Sequence, residues 1–154
     1  MRRLSVVSIL SVFCASILLA QPSPLSKEQA KLWDYMKQSW EDDIAKNGKW
    51  PAEYTVDSYV WWSDKDPGPR DRDSSIEWNR VTKDHSTILW YELTPMAVVI
   101  EGNTAVLMYY SNTLSEDDKG ERKRSSSKVT EVLARKGGSW KFVSSTSSSL
   151  DAGD

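Results

Sequence analysis

The chain has 154 residues, with 20 Lys and Arg against 22 Asp and Glu, one His and one Cys. The length suggests one domain, and the slightly acidic balance gives no electrostatic case for nucleic acid or an anionic membrane surface. A lone Cys and a lone His exclude a disulfide framework and a Cys/His metal cluster.

Residues 1–20 are expected to be a signal peptide. Arg2 and Arg3 give a positive start, Leu4 to Leu19 form an almost unbroken apolar run, and Ala20 is a small residue at a cleavage point. The run is short for a bilayer span and lacks a basic stop-transfer flank. The expectation is therefore export, to the periplasm or the outside, with no membrane association after cleavage. Cleavage removes Cys14, and a mature domain without a thiol must hold itself by its core. All eight Trp and six Tyr lie beyond Ala20, which supplies the apolar bulk. The single domain is expected over residues 21–154, with 21–25 and 150–154 as disordered ends.

Ser26 to Asn47 reads as a helix. Ser26 and Gln29 have capping-box spacing, Leu25 can staple against Ala30, and Asn47-Gly48 is a stop. Trp33, Met36, Trp40 and Ile44 share one face, as core-packing stripes do. Trp50-Pro51 and Tyr54 form a connector with room for a short second helix. Val56 to Trp62 is strand-like, and the adjacent Trp61 and Trp62 must point to opposite faces. The following loop holds Asp64 and Asp66 but lacks the ligand spacing and closing Glu of a calcium-binding EF-hand, so no metal is expected.

Asp71 to Lys83 reads as another helix, capped by Asp71 or Ser74, with Ile76, Trp78 and Val81 as its apolar contributors. His85 follows its end, where a histidine can meet the last carbonyls. Thr87 to Leu93 and Met96 to Ile100 are strand-like on either side of Pro95, which marks an edge, a bulge or a strand start. Thr104 to Leu114 returns antiparallel. Both its faces are apolar, so it reads as a central strand covered twice. Ser115 to Arg124 reads as a charged, solvated hairpin loop. Val129, Glu131, Leu133 and Arg135 then alternate with Thr130, Val132, Ala134 and Lys136, Gly137-Gly138 supply a tight turn, and Trp140, Phe142 and Ser144 resume the alternation. Helices followed by an antiparallel meander make an α+β order.

This order, with Asp57-Ser58-Tyr59-Val60-Trp61-Trp62, Asp66-Pro67-Gly68, Gly102-Asn103-Thr104-Ala105-Val106 and Gly138-Ser139-Trp140-Lys141-Phe142-Val143, resembles the NTF2-like superfamily. Within it the chain is most similar to the SnoaL-like and DUF4440-type domains related to ketosteroid isomerase. The resemblance implies an α+β cone-shaped barrel, N-terminal helices packed on a strongly bent antiparallel sheet around a pocket, and often a homodimer formed through the sheet. In the isomerase branch, a carboxylate near the end of the first strand moves the proton, while a helix tyrosine and a protonated late-strand acid form the oxyanion hole. Here those positions fall close to Trp62, with Asp64 just beyond, near Trp40 or Glu41, and near Thr130 or Glu131. Only Glu131 matches in type. Where many relatives carry histidines in the last strand, this chain has Ser144-Ser145-Thr146.

Three readings follow. The first is a pocket for a small apolar or aromatic molecule, or a non-catalytic module, with Trp33, Trp40, Tyr59, Trp62, Trp78, Trp90 and Tyr109 as candidate lining. The same rings equally read as plain core filling. The second is an isomerase, lyase or hydratase using a desolvated carboxylate, Glu131 first, then Asp57 or Glu92, with His85 as a possible partner. An ion pair of Glu131 with Arg135 or Lys128 would explain that residue without chemistry. The third is a carbohydrate- or protein-binding module presenting exposed Trp platforms. No cofactor is implied.

Overall fold

The computed structural model describes residues 24–150. The expected signal peptide therefore lies outside the described residues, as do positions 21–23 and 151–154 of the expected disordered ends. Leu25 rests against the core, and the Leu150 N–H donates to Ser126 O at 2.8 Å.

Helix α1 (Lys27–Ile44) begins with both arms of the Ser26–Gln29 capping box in place. It ends before Asn47-Gly48: Lys46 adopts a left-handed φ of 53° and residues 46–54 run on as turns, not as a short helix. Strand β1 (Thr55–Ser63) and the two-residue β2 (Arg70–Asp71) precede α2 (Arg72–Thr82). Asp71, not Ser74, caps α2, accepting the Ser74 N–H at 2.8 Å. Strands β3 (Ser86–Glu101), β4 (Thr104–Asp117), β5 (Arg122–Lys136) and β6 (Ser139–Ser149) form a meander. Its last turn uses Gly137 and Gly138 at φ 56° and 85°, a region glycine enters without steric cost.

The six strands are ordered β2-β1-β6-β5-β4-β3. β1 lies parallel to β6 and every other pairing is antiparallel, so the sheet is mixed and not wholly antiparallel as expected. The three hairpins fix the direction of β6, and β1, arriving from α1, is laid beside it in the same sense. The sheet is also open: β2 and β3 are its two edges, so the cone is not a closed barrel. Register shifts at Ile88/Trp90, Pro95/Ala97 and Val132/Leu133 add local bends to the strands. β4 and β5 continue through the charged stretch expected to be loop, because Glu116 and Arg122 face each other and pair at 2.8 Å.

α1 packs Leu32, Trp33 and Met36 onto the inner face of the sheet, against Tyr59, Leu107, Tyr109 and Leu133 among others. Complete burial of a Leu side chain such as Leu107 contributes about 2 kcal/mol. β4 is covered once, not twice: Ala105, Leu107 and Tyr109 are buried, whereas Met108 on the other face is 47% exposed. α2 differs from expectation as well. None of its residues is buried, and Trp78 and Val81 are exposed. α2 packs against β1 at its margin, beside the core and not upon it.

Candidate functional site

Between α1, α2 and the inner face of the sheet lies a cleft of about 450 Å³. The α1 stripe carries past Trp40 to Asp43, three residues on, so an acidic residue joins the wall that aromatic residues begin. β1 contributes Tyr59 and Trp61, β4 contributes Tyr109, and β5 contributes Glu131 through the same alternation that buries Val129 and Leu133. The connector adds Trp50, and α2 supplies Trp78 and Asn79.

Glu131 is the chemical centre of this cleft. It is 4% exposed and directly opposite Ser145 on β6, and its two oxygens are divided between two strands. Tyr109 Oη donates to Oε1 at 3.0 Å, and Ser145 Oγ donates to Oε2. Trp40 Nε1 donates in turn to Tyr109 Oη at 3.0 Å. Burial pushes the Glu131 carboxyl up to about 7, against the opposing pull of the Ser145 and Tyr109 hydrogen bonds. Neither Arg135 nor Lys128 pairs with it. Arg135 instead meets Glu28 at 2.7 Å. Burial and the Glu131 charge raise the Tyr59 and Tyr109 phenols, so both remain proton donors at neutral pH.

Asp43 is raised by burial too, opposed by the Asn79 amide, which donates to Oδ1 at 2.7 Å. Arg70 is the cation of the lining, but it is committed elsewhere. Its guanidinium pairs with Asp66 and lies 4.3 Å over the Trp78 ring. Asp66 also accepts from Ser63 Oγ at 2.7 Å and Trp61 Nε1 at 3.3 Å. Asp64 accepts the Ser149 N–H at 2.9 Å, so protein donors occupy both loop carboxylates.

The structure brings Trp40, Tyr59, Trp78, Tyr109 and Glu131 together around one cleft. It places the other sequence candidates apart. Trp33 is buried in the core, edge-on to Tyr109 at 5.5 Å. Trp62 and Trp90 are each 52% exposed and do not line the cleft. Trp62 is the partner of Trp61 that alternation turns outward. Asp57 and Glu92 are exposed, and His85 lies past α2 with Nδ1 3.7 Å from Asp118 Oδ2. None of these three faces Glu131. Sequence reasoning missed Asp43 and Ser145. The i+4, i+3 spacing from Met36 through Trp40 would have found the first, and the β5–β6 register the second.

No protein-family model and no curated protein matches the sequence. Solved structures do match. A ketosteroid isomerase-like protein from Erwinia carotovora atroseptica superposes with a TM-score of 0.71 at 12% identity, covering 83% of this chain and all of that one. An NTF2-like protein with a cystatin-like fold from Novosphingobium aromaticivorans gives 0.64 at 16% identity, covering 82% of this chain and 84% of that one. An NTF2-like protein of unknown function in nutrient uptake from Rhodospirillum rubrum gives 0.66 at 16% identity, covering 77% and 98%.

This chain has the NTF2-like fold. At such identities the likeness concerns architecture alone, because one fold hosts many chemistries. In NTF2-like terms, the cleft is the space between the helices and the concave side of the cone.

Proposed function

We propose that the cleft binds a small molecule with an aromatic or alicyclic body, held by the rings of Trp40, Trp61 and Tyr59 and oriented by Glu131. One observation carries this reading: a buried carboxyl with two donors sits on the wall of a cavity that aromatic rings line together with small polar side chains. Ligand sites combine a large apolar surface with a few polar groups in this way, and plain core packing would not leave an open volume beside a buried acid. Thermal denaturation with planar polycyclic and aromatic compounds is the test. A ligand at a hundredfold excess over Kd stabilises the folded state by about 2.7 kcal/mol, which moves the midpoint by several degrees. A panel without a single shift would sink the reading.

A second reading, proton transfer next to a carbonyl, is favoured by the raised carboxyls of Glu131 and Asp43 in one cleft. Deuterium uptake beside the carbonyl of a planar ketone, lost in Glu131→Gln, would support an isomerase, lyase or hydratase. No uptake would leave binding alone.

We further propose export and a homodimer formed through the outer sheet face. The charged start and apolar run of residues 1–20 support the first, and the mass of the secreted product tests it. An uncharged row across the sheet, Trp62, Thr146, Thr130, Met108 and Ala97, supports the second. Light scattering should give twice the monomer mass, and Met108→Lys should return it to one.

A further inference from the structure

Resting on the ligand-binding reading, we propose that the occupant of the cleft is an organic cation, a protonated amine or quaternary ammonium on an aromatic or alicyclic frame. The rings of Trp40, Trp50, Tyr59, Trp61, Trp78 and Tyr109 all line the cavity. Ring faces carry negative potential and attract cations, most strongly where water is excluded. Two carboxyl groups, Asp43 and Glu131, share that wall.

Charge accounting within the cleft points the same way. No Lys or His is among the lining residues, and Arg70 is satisfied by Asp66 and by the Trp78 ring. Among the described residues, none of the ion pairs involves Glu131 or Asp43. A buried carboxyl without a cation is costly for a fold to keep. A neutral ligand would leave that cost in place, and an anion would add to it. A cation entering the ring-lined space would ionise the carboxyl and neutralise it.

The groups facing Glu131 make the proton balance simple. Tyr109 approaches from β4 and Ser145 from β6, and the Glu131 charge also acts on Tyr59 of β1. Asp43 on α1 and Arg70 on β2 line the same cleft, while the α2 lining carries no titratable side chain. The phenols stay protonated at neutral pH, so the carboxyl proton is the one displaced. It leaves to solvent as the cation binds. Binding therefore tightens as pH rises, until Glu131 is ionised in the free protein as well.

Isothermal titration of the purified chain with 2-naphthylmethylamine, 2-naphthylmethanol and 2-naphthoate at pH 6 and pH 8 decides the matter. An alkylamine stays protonated over this range. The amine should bind at least about tenfold more tightly than the alcohol at pH 8. Its own affinity should rise about tenfold from pH 6 to pH 8, with a heat that depends on the buffer's ionisation enthalpy. Glu131→Gln should flatten that pH profile, and Asp43→Asn should weaken the amine more than the alcohol. An alcohol bound as tightly as the amine, or naphthoate bound best, overturns the cation and keeps the cleft. No binding by any of the three overturns the ligand-binding reading and this proposal with it.

Discussion

Asn79 on α2 reaches 2.7 Å to Asp43 on α1, a direct side-chain tie between the two helices that flank the cleft. α2 buries no side chain, so its position depends on such polar ties, including Arg72 to Ala52 O at 2.8 Å and to Thr55 Oγ1 at 3.2 Å. A helix held this way opens locally at lower free energy than the core does. Asn79→Ala should speed amide hydrogen exchange across α2 while costing only about 1 kcal/mol of global stability. Exchange mass spectrometry with a urea titration checks both. Unchanged α2 protection would show that the tie does not hold the helix.

Glu131 should impose a pH dependence on folding. Its carboxyl rises from 4.5 to about 7, so the folded chain binds the proton more tightly than the unfolded one. This contribution is full below the unfolded value and is lost as pH rises through about 7. Between those limits it amounts to roughly 3 kcal/mol. Glu131→Gln removes it, so the variant should gain stability relative to the wild type on going from pH 5 to pH 8. Urea midpoints at both pH values measure the difference, and parallel curves would contradict the buried acid.

Ligand-induced stabilisation should separate the sequence candidates. Asp57→Asn, Glu92→Gln and His85→Gln alter exposed side chains outside the cleft and should leave both stability and ligand shifts unchanged to within about 0.5 kcal/mol. Trp40→Ala removes a cleft wall and the donor to Tyr109, and should abolish the shift. Thermal midpoints with and without ligand are the readout.

Leu107 is fully buried under α1. Leu107→Ala should cost about 3 kcal/mol, the usual price of such a cavity. A denaturant titration that shows less than about 1 kcal/mol would mean that the core can collapse around the gap.

Much of this architecture was legible because local signals agreed with the fold. The Ser26–Gln29 box, the Gly137-Gly138 turn and the β5 alternation each predict a feature that the structure contains. The parallel β1–β6 pairing was not legible, since it joins segments some eighty residues apart and leaves no local trace. Trp78 shows a further limit. A helical apolar spacing predicts a buried face, yet α2 sits at the margin of the sheet and Trp78 covers Arg70 instead. Within the site, Glu131 was readable from alternation alone. Asp43 continues the Met36–Trp40 spacing but was passed over, because Glu41-Asp42-Asp43 looks like a solvated helix end.

The sheet has one very short edge, β2, and one long edge, β3. A sixteen-residue free edge invites another chain to add a strand and nucleate fibrils. Pro95 offers no N–H, and the shifts at Ile88/Trp90 and Pro95/Ala97 break that edge into short, differently aimed lengths. The same bends that help curve the cone therefore guard the chain against self-templated aggregation. Replacing Pro95 with a strand former such as Val would remove one of these breaks and put solubility at risk.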